Sequence, residues 1–279
     1  MSILFKAIIL GLLQGLTEFL PVSSSGHLAV VQYVLGFVGS PEDKKFFLDP
    51  TLMLFFDVAM HFATLLAILL FFRKKIVDLF RVANRPILIM IIVGSIPAVL
   101  VGFFVSRFGV RESFEKSPVL IGFCFLITAA LLKLTDYARE QGFEMRTAGL
   151  KKPLLVGCGQ ALSAALLGVS RSGSTVSTGL IAGFKRQDAV VFSFFLAIPA
   201  ILGAMCMESL KLLKIVKGMT DYGTLHIDAV VAGCVAAFIM SLIAIKLLLV
   251  IVQMKKFSLF AYYMLLAAAA TFVIAFIYR

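Results

Sequence analysis

Apolar residues fall into runs separated by short polar breaks, at about 3–20, 26–38, 51–72, 86–106, 118–134, 153–169, 174–184, 188–213, 229–252 and 259–278. Six of these runs, from 51–72, 86–106 and 118–134 to 188–213, 229–252 and 259–278, approach the roughly 20 residues a helix needs to cross a bilayer. The runs at 26–38 and 174–184 are too short to cross alone, and each follows a break rich in Ser and Gly. The pattern predicts an all-α polytopic membrane protein with six transmembrane helices and two re-entrant helical hairpins, at 3–38 and 153–184.

Composition agrees, with 61% hydrophobic residues and a mean hydropathy of +1.04. The longest polar loop, about Thr135 to Lys152, is too short to own a core, so residues 1–279 are expected to form a single integral-membrane domain. A net charge of +11 would suit nucleic acid, but the basic residues sit in short loops beside apolar runs, which makes membrane topology the better account and no nucleic-acid partner is expected. Fourteen of them, between Arg73 and Lys256, collect on one side of the predicted topology against nine on the other. The positive-inside rule places the first side in the cytoplasm, with both termini and Glu42, Asp43 and Asp49 outside. Cys124, Cys158, Cys206 and Cys234 are isolated within apolar runs and read as packing residues. Gln14 and Glu18 inside the first run argue against a cleaved signal peptide.

The candidate chemistry lies in Gln14 to His27, QGLTEFLPVSSSGH. Gln14 and Glu18 are four apart and share a helix face, Pro21 ends that helix, and Ser23, Ser24, Ser25 and Gly26 offer hydroxyls and turn-forming backbone before His27. An acid within hydrocarbon is costly, so such a segment must be buried against protein or line a wet cavity. A helix starting near Ser25 would add a positive dipole end suited to an anion.

The pattern recurs. QALSAALLGVSRSG, from Gln160 to Gly173, aligns with Gln14 to Gly26 once one inserted residue is allowed. Three predicted spans separate the copies, so they run in opposite senses and form an inverted-topology repeat, about 1–134 and 153–279. Glu18 is matched by Ala164, whereas the second copy gains Arg171, flanked by Ser170, Ser172, Gly173, Ser174 and Thr175. A guanidinium fork suits phosphate oxygens; the alternative is an ion pair with Glu18 that only stitches the hairpins together. Asp57 and His61 share a face of the run at 51–72 and read either as cavity lining or, slightly favoured, as a packing pair, while Lys246 either snorkels or meets substrate.

With these motifs in order along the chain, the sequence resembles the undecaprenyl-pyrophosphate phosphatase family, the membrane enzymes associated with bacitracin resistance. Gln14 to His27 is similar to its first motif, Gly168 to Gly173 (GVSRSG) to its second, and SIPAVLVG, FSFFLAIPAILGA and LIAIKLLL extend the likeness. The resemblance implies hydrolysis of undecaprenyl diphosphate to undecaprenyl phosphate and inorganic phosphate, which recycles the lipid carrier for cell-wall synthesis, at an inner-membrane site open to the outer face. It implies a divalent cation, Mg2+ or Ca2+, held by Glu18 and Gln14. Catalytic roles fall to Glu18, His27 and Ser24, and substrate binding to Arg171, Ser170, Ser172, Ser23, Ser25, Gly26, Gly173 and Thr175. Two departures stand out: Gln14 where the family often has Glu, and Leu167 where its second motif has Pro. Water attack and a covalent phosphoenzyme both stay open, as does the oligomeric state, a homo-oligomer included.

The rival readings are weaker. Another membrane phosphatase superfamily needs a Lys where Asp78 stands and a His where Ser177 stands. An inverted-repeat flippase or transporter for a phosphorylated isoprenoid is the alternative function, yet transport alone does not require an imidazole beside hydroxyls. A structural membrane protein leaves Glu18, His27 and Arg171 unexplained.

Overall fold

The computed structural model describes residues 3–38, 50–108, 117–138, 142–216 and 226–277. Glu42, Asp43 and Asp49 lie outside the described residues, as do Arg111, Glu112, Glu115, Lys116, Arg139, Glu140, Lys217, Asp221 and Arg279, so the charge comparison rests in part on them. The described residues are helical and contain no strand. The helices are α1 (Ile3–Phe19), α2 (Ser24–Val38), α3 (Pro50–Phe71), α4 (Arg73–Leu79), α5 (Arg85–Arg107), α6 (Pro118–Leu134), α7 (Lys151–Ala165), α8 (Arg171–Ile181), α9 (Arg186–Val216), α10 (Ile227–Gln253) and α11 (Leu259–Ile277).

Six stretches are long and apolar enough to cross a membrane: Thr51–Phe71, Val82–Arg107, Pro118–Tyr137, Arg186–Leu213, Ile227–Gln253 and Leu259–Ile277. They coincide with the six long apolar runs, because a segment apolar on every face can satisfy its backbone in lipid only as a helix. The remaining elements form two shorter pairs. α1 and α2 have 17 and 15 residues, and α7 and α8 have 15 and 11. At about 1.5 Å per residue, α7 and α8 reach roughly 22 and 16 Å, well short of the hydrocarbon thickness.

Small residues set the packing. A Cβ on Gly11 would land on the Gly233 carbonyl, and a Cβ on Gly157 on the Gly94 carbonyl, so α1 lies directly against α10 and α7 directly against α5. Such close backbone approach is how membrane helices gain contact area where the surrounding lipid supplies no hydrophobic drive. The end of α1 is fixed by aromatic packing. Phe19 meets Phe194 of α9 edge-on at 5.6 Å, and Phe194 in turn packs on Phe72 at 5.2 Å. All three are buried, which seats the α1–α2 turn deep in the bundle.

The loop after α6 was expected only to be polar. It instead folds back on the end of α8, where Phe143 donates its N–H to the Gly183 carbonyl and accepts from Lys185 N–H at 3.0 Å. Lys185 also reaches Glu144 at 2.6 Å, so the far end of α8 is held by this loop.

Candidate active site

The first turn is dictated by its sequence. α1 stops at Phe19 because Pro21 cannot continue the backbone ladder, and Val22 N–H closes a tight turn on the Leu20 carbonyl at 2.8 Å. Ser23 then adopts φ 68°, and its hydroxyl accepts Gly26 N–H at 3.2 Å, starting α2. A Cβ at Gly26 would run into the Phe125 ring, so no larger residue fits there. The second turn repeats the device. Gly168 takes φ 108°, and the Ser170 hydroxyl accepts Gly173 N–H at 3.0 Å, which starts α8 at Arg171. Both helices therefore direct first-turn N–H groups and positive dipole ends toward the turns.

The two turns touch. Ser172 Oγ donates to the Leu20 carbonyl at 2.8 Å, and Arg171 Nη2 donates to Glu18 Oε1 at 2.8 Å. The other Glu18 oxygen accepts Ser24 Oγ at 2.6 Å and Gln14 Nε2 at 3.1 Å. Glu18 is thus satisfied from three directions, while Arg171 Nη1 and Gln14 Oε1 are buried without a hydrogen-bond partner. A charged nitrogen and an amide oxygen left unpaired beside one carboxylate are costly unless a ligand completes them.

His27 is placed by a different set of neighbours. Its Nδ1 faces the Ser23 carbonyl at 2.8 Å and its Nε2 faces the Tyr263 hydroxyl at 2.8 Å. A carbonyl only accepts, so in the neutral imidazole Nδ1 carries the proton and Nε2 accepts from Tyr263. The ring lies parallel to Tyr263 at 5.7 Å and is backed by Phe125 at 5.0 Å. Ser24 hydrogen-bonds Glu18 and not His27, so the carboxylate is the group placed to take a proton from that hydroxyl.

The other expected residues divide. Ser23 and Ser170 cap helices, Ser172 ties the turns together, and Gly26 and Gly173 make room for close packing. Ser25 is half-buried at the start of α2. Thr175 turns away, bonding the Arg171 carbonyl at 2.8 Å and Ser193 Oγ at 2.6 Å, so its hydroxyl serves the packing of α8 on α9. Asp57 and His61 meet through the backbone, His61 Nδ1 facing the Asp57 carbonyl at 2.8 Å, while Gln32 Nε2 approaches the Asp57 carboxylate at 3.4 Å. His61 nonetheless stands within electrostatic range of Glu18.

Sequence reasoning missed Tyr263 and Thr128, whose Oγ1 accepts Ser170 N–H at 3.0 Å. Each is a hydroxyl on a largely apolar helix, so no local pattern marks it; its only signal is a hydroxyl within a span.

Among the described residues, no three His, Cys, Asp or Glu side chains gather as a preformed metal cluster. The oxygen set at this site still suits a hard cation. Glu18 and Ser24 Oγ lie together, the Gln14 amide meets the same carboxylate through Nε2 with its Oε1 unpartnered, and Mg2+ commonly binds through one or two carboxylates with phosphate oxygens completing its shell.

Residues 7–270 match the family described as bacitracin resistance protein BacA. The undecaprenyl-diphosphatase of Thermodesulfovibrio yellowstonii is 36% identical over 99% of each chain. That of Christiangramia forsetii is 34% identical over 98% of each, and that of Bacteroides fragilis 34% over 97% of this chain and 98% of its own. With the family's two motifs folded into one buried cluster, the chain belongs to the bacitracin resistance protein BacA family.

Proposed function

We propose that this protein hydrolyses undecaprenyl diphosphate to undecaprenyl phosphate and inorganic phosphate, recycling the lipid carrier and conferring bacitracin resistance. The observation that carries this reading is the meeting of Glu18, Ser24 and Arg171 across two capped turns, with Arg171 Nη1 buried and unpaired, in a chain whose relatives are undecaprenyl-diphosphatases.

Phosphoryl transfer requires positioned positive charge for the equatorial oxygens and an aligned nucleophile. Arg171 and the first N–H groups of α2 and α8 supply the charge. Ser24 Oγ, polarised by Glu18 at 2.6 Å, attacks the terminal phosphorus; Glu18 takes its proton as the bridging P–O bond breaks and undecaprenyl phosphate leaves. Water then attacks the phosphoserine, giving its proton to His27 Nε2 in place of the Tyr263 hydroxyl, the Ser24 oxygen recovers its proton from Glu18 as inorganic phosphate departs, and His27 releases its extra proton to solvent. A divalent cation held by Glu18, Gln14 Oε1 and Ser24 would neutralise diphosphate charge.

The same reading includes two re-entrant hairpins, α1–α2 and α7–α8, related by an inverted repeat. Matched packing supports it: α1 lies on α10 as α7 lies on α5, through Gly11–Gly233 and Gly157–Gly94, and Gln14 and Gln160 stand three residues after the paired glycines of α1 and α7. The site then opens to the outer face of the inner membrane, with the basic loops in the cytoplasm.

The test is phosphate release from undecaprenyl diphosphate by the purified protein in detergent, with and without chelator, beside His27→Ala, Arg171→Ala and Ser24→Ala. Release lost in all three variants and with chelator is expected. Wild-type turnover in Arg171→Ala would overturn the site, and no release with any divalent cation would favour lipid translocation.

A further inference from the structure

A second feature lies outside these turns, its Phe72 separated from Phe19 by the Phe194 ring. The end of α3, the start of α4, the start of α9 and the C-terminal half of α10 enclose a groove of about 700 Å3. Leu70, on its wall, is nine residues beyond His61 along α3, or roughly 14 Å. None of the Ser/Gly-turn residues contributes to it. Leu70, Leu242 and Leu249 form an apolar wall, and Arg73, Lys74, Lys75 and Lys246 form a basic one.

The basic wall is uncompensated. Among the described residues no carboxylate pairs with any of these four cations. The acids on neighbouring elements are already engaged: Asp78 with Arg81 at 3.2 Å, Glu144 with Lys185 at 2.6 Å, and Asp188 with Met145 N–H at 3.0 Å. Lys246 makes the imbalance acute. It sits seven residues inside the end of α10, about 10 Å from that boundary, on the exposed side of a span with mean hydropathy 2.8. A cation at such depth is tolerated when its stem snorkels to the headgroup level and finds an anion there.

We propose that this groove binds an anionic phospholipid, its phosphate held between Lys246 and the Arg73–Lys75 run and an acyl chain lying along Leu70, Leu242 and Leu249. Charge complementarity selects the anion, and the apolar wall, carried by two candidate spans, selects a lipid over a free one. The volume lies within the range of ordinary ligand sites. The lipid bridges α3 and α10, and α10 is the helix on which α1 rests through Gly11 and Gly233, so occupancy braces the helices beside the first turn.

The experiment uses the full chain in neutral detergent, titrated with phosphatidylglycerol, phosphatidylcholine or inorganic phosphate while thermal unfolding and bound lipid by native mass spectrometry are recorded. Phosphatidylglycerol is expected to bind and raise the melting temperature, whereas the other two do neither. Each cation near a lipid phosphate contributes about fivefold, so Lys74→Gln/Lys246→Gln should bind phosphatidylglycerol about thirtyfold more weakly, with hydrolysis in detergent unchanged. Lys74→Arg/Lys246→Arg should retain binding, which guards against a folding defect in the neutral pair. Equal effects of phosphatidylcholine or inorganic phosphate, no binding of phosphatidylglycerol, or undiminished binding in the neutral variant would each overturn the proposal.

Discussion

The Glu18–Arg171 contact has two readings, a brace between turns or the working centre of the site, and a double-mutant cycle separates them. The pair is 2.8 Å apart with side chains 7% and 16% exposed, which makes it a buried ion pair. Removing one member of such a pair costs about 3–5 kcal/mol, because the other charge is left stranded. Glu18→Gln strands a guanidinium whose Nη1 is already unpartnered, and Arg171→Gln leaves the carboxylate only Ser24 and Gln14. Glu18→Gln/Arg171→Gln removes both charges, so it should be less destabilised than the sum of the two single variants, by a coupling energy of about 2–3 kcal/mol. Activity should not follow. Losing one preorganised donor to a developing anion costs about 10²–10³ in rate, and the double variant should be no faster than the slower single one. Equilibrium unfolding in mixed micelles reads the first quantity, and phosphate release reads the second. Hydrolysis restored in the double variant would reduce the pair to a brace, and single variants as stable as the parent would refute the burial argument.

Tyr263→Phe keeps the ring stacked on His27 but removes one hydrogen bond worth about 0.5–1.5 kcal/mol, so phosphate release should fall about two- to twelvefold; a loss as deep as that of His27→Ala would make Tyr263 a proton carrier. Gly11→Ala and Gly157→Ala each drive a Cβ into a facing carbonyl and should destabilise the protein by about 1–3 kcal/mol or more, read as a lowered melting temperature. For the proposed hairpins, single cysteines at Ala83 and Ser258 should label from the cytoplasmic face, and one at Ser25 only from outside. Labelling of the Ser25 position from the cytoplasm would make α1 a full crossing.

How much of this was legible depended on how local the signal was. The spans at 51–72 and 229–252 could be read because unbroken apolar character is a property of a single segment. The turns were legible for the same reason: Pro21 and the Ser/Gly runs announce a break without reference to anything distant. The start of α8 at Arg171, three residues before the apolar run at 174–184, follows from the Ser170 cap, which a hydropathy pattern does not weigh. Tyr263 was invisible because its role exists only once α11 stands beside His27, 236 residues away in sequence. Thr175 is the converse case: a hydroxyl beside the motif arginine reads as a ligand from sequence, and in the fold it bonds Ser193.

The chemical asymmetry of the two turns has a physical reason. Ser23 and Ser170 cap alike, and a glycine stands three residues after each, more tightly confined at Gly26 than at Gly173, so the scaffold is shared. Glu18 faces Ala164 in the alignment, and Arg171 faces a residue of the serine run. Two carboxylates meeting at the centre of a membrane protein would repel, and two guanidiniums would need an anion at all times. One of each gives a site that is neutral at rest, which lowers the cost of burying it. In the proposed mechanism an arriving phosphate competes with Glu18 for Arg171, beginning at the unpaired Nη1. As the guanidinium turns to the substrate, the carboxylate is left with Ser24, at 2.6 Å, and Gln14, at 3.1 Å, as its partners. In this mechanism binding of the diphosphate and activation of the hydroxyl that attacks it are one event, because both draw on the same ion pair.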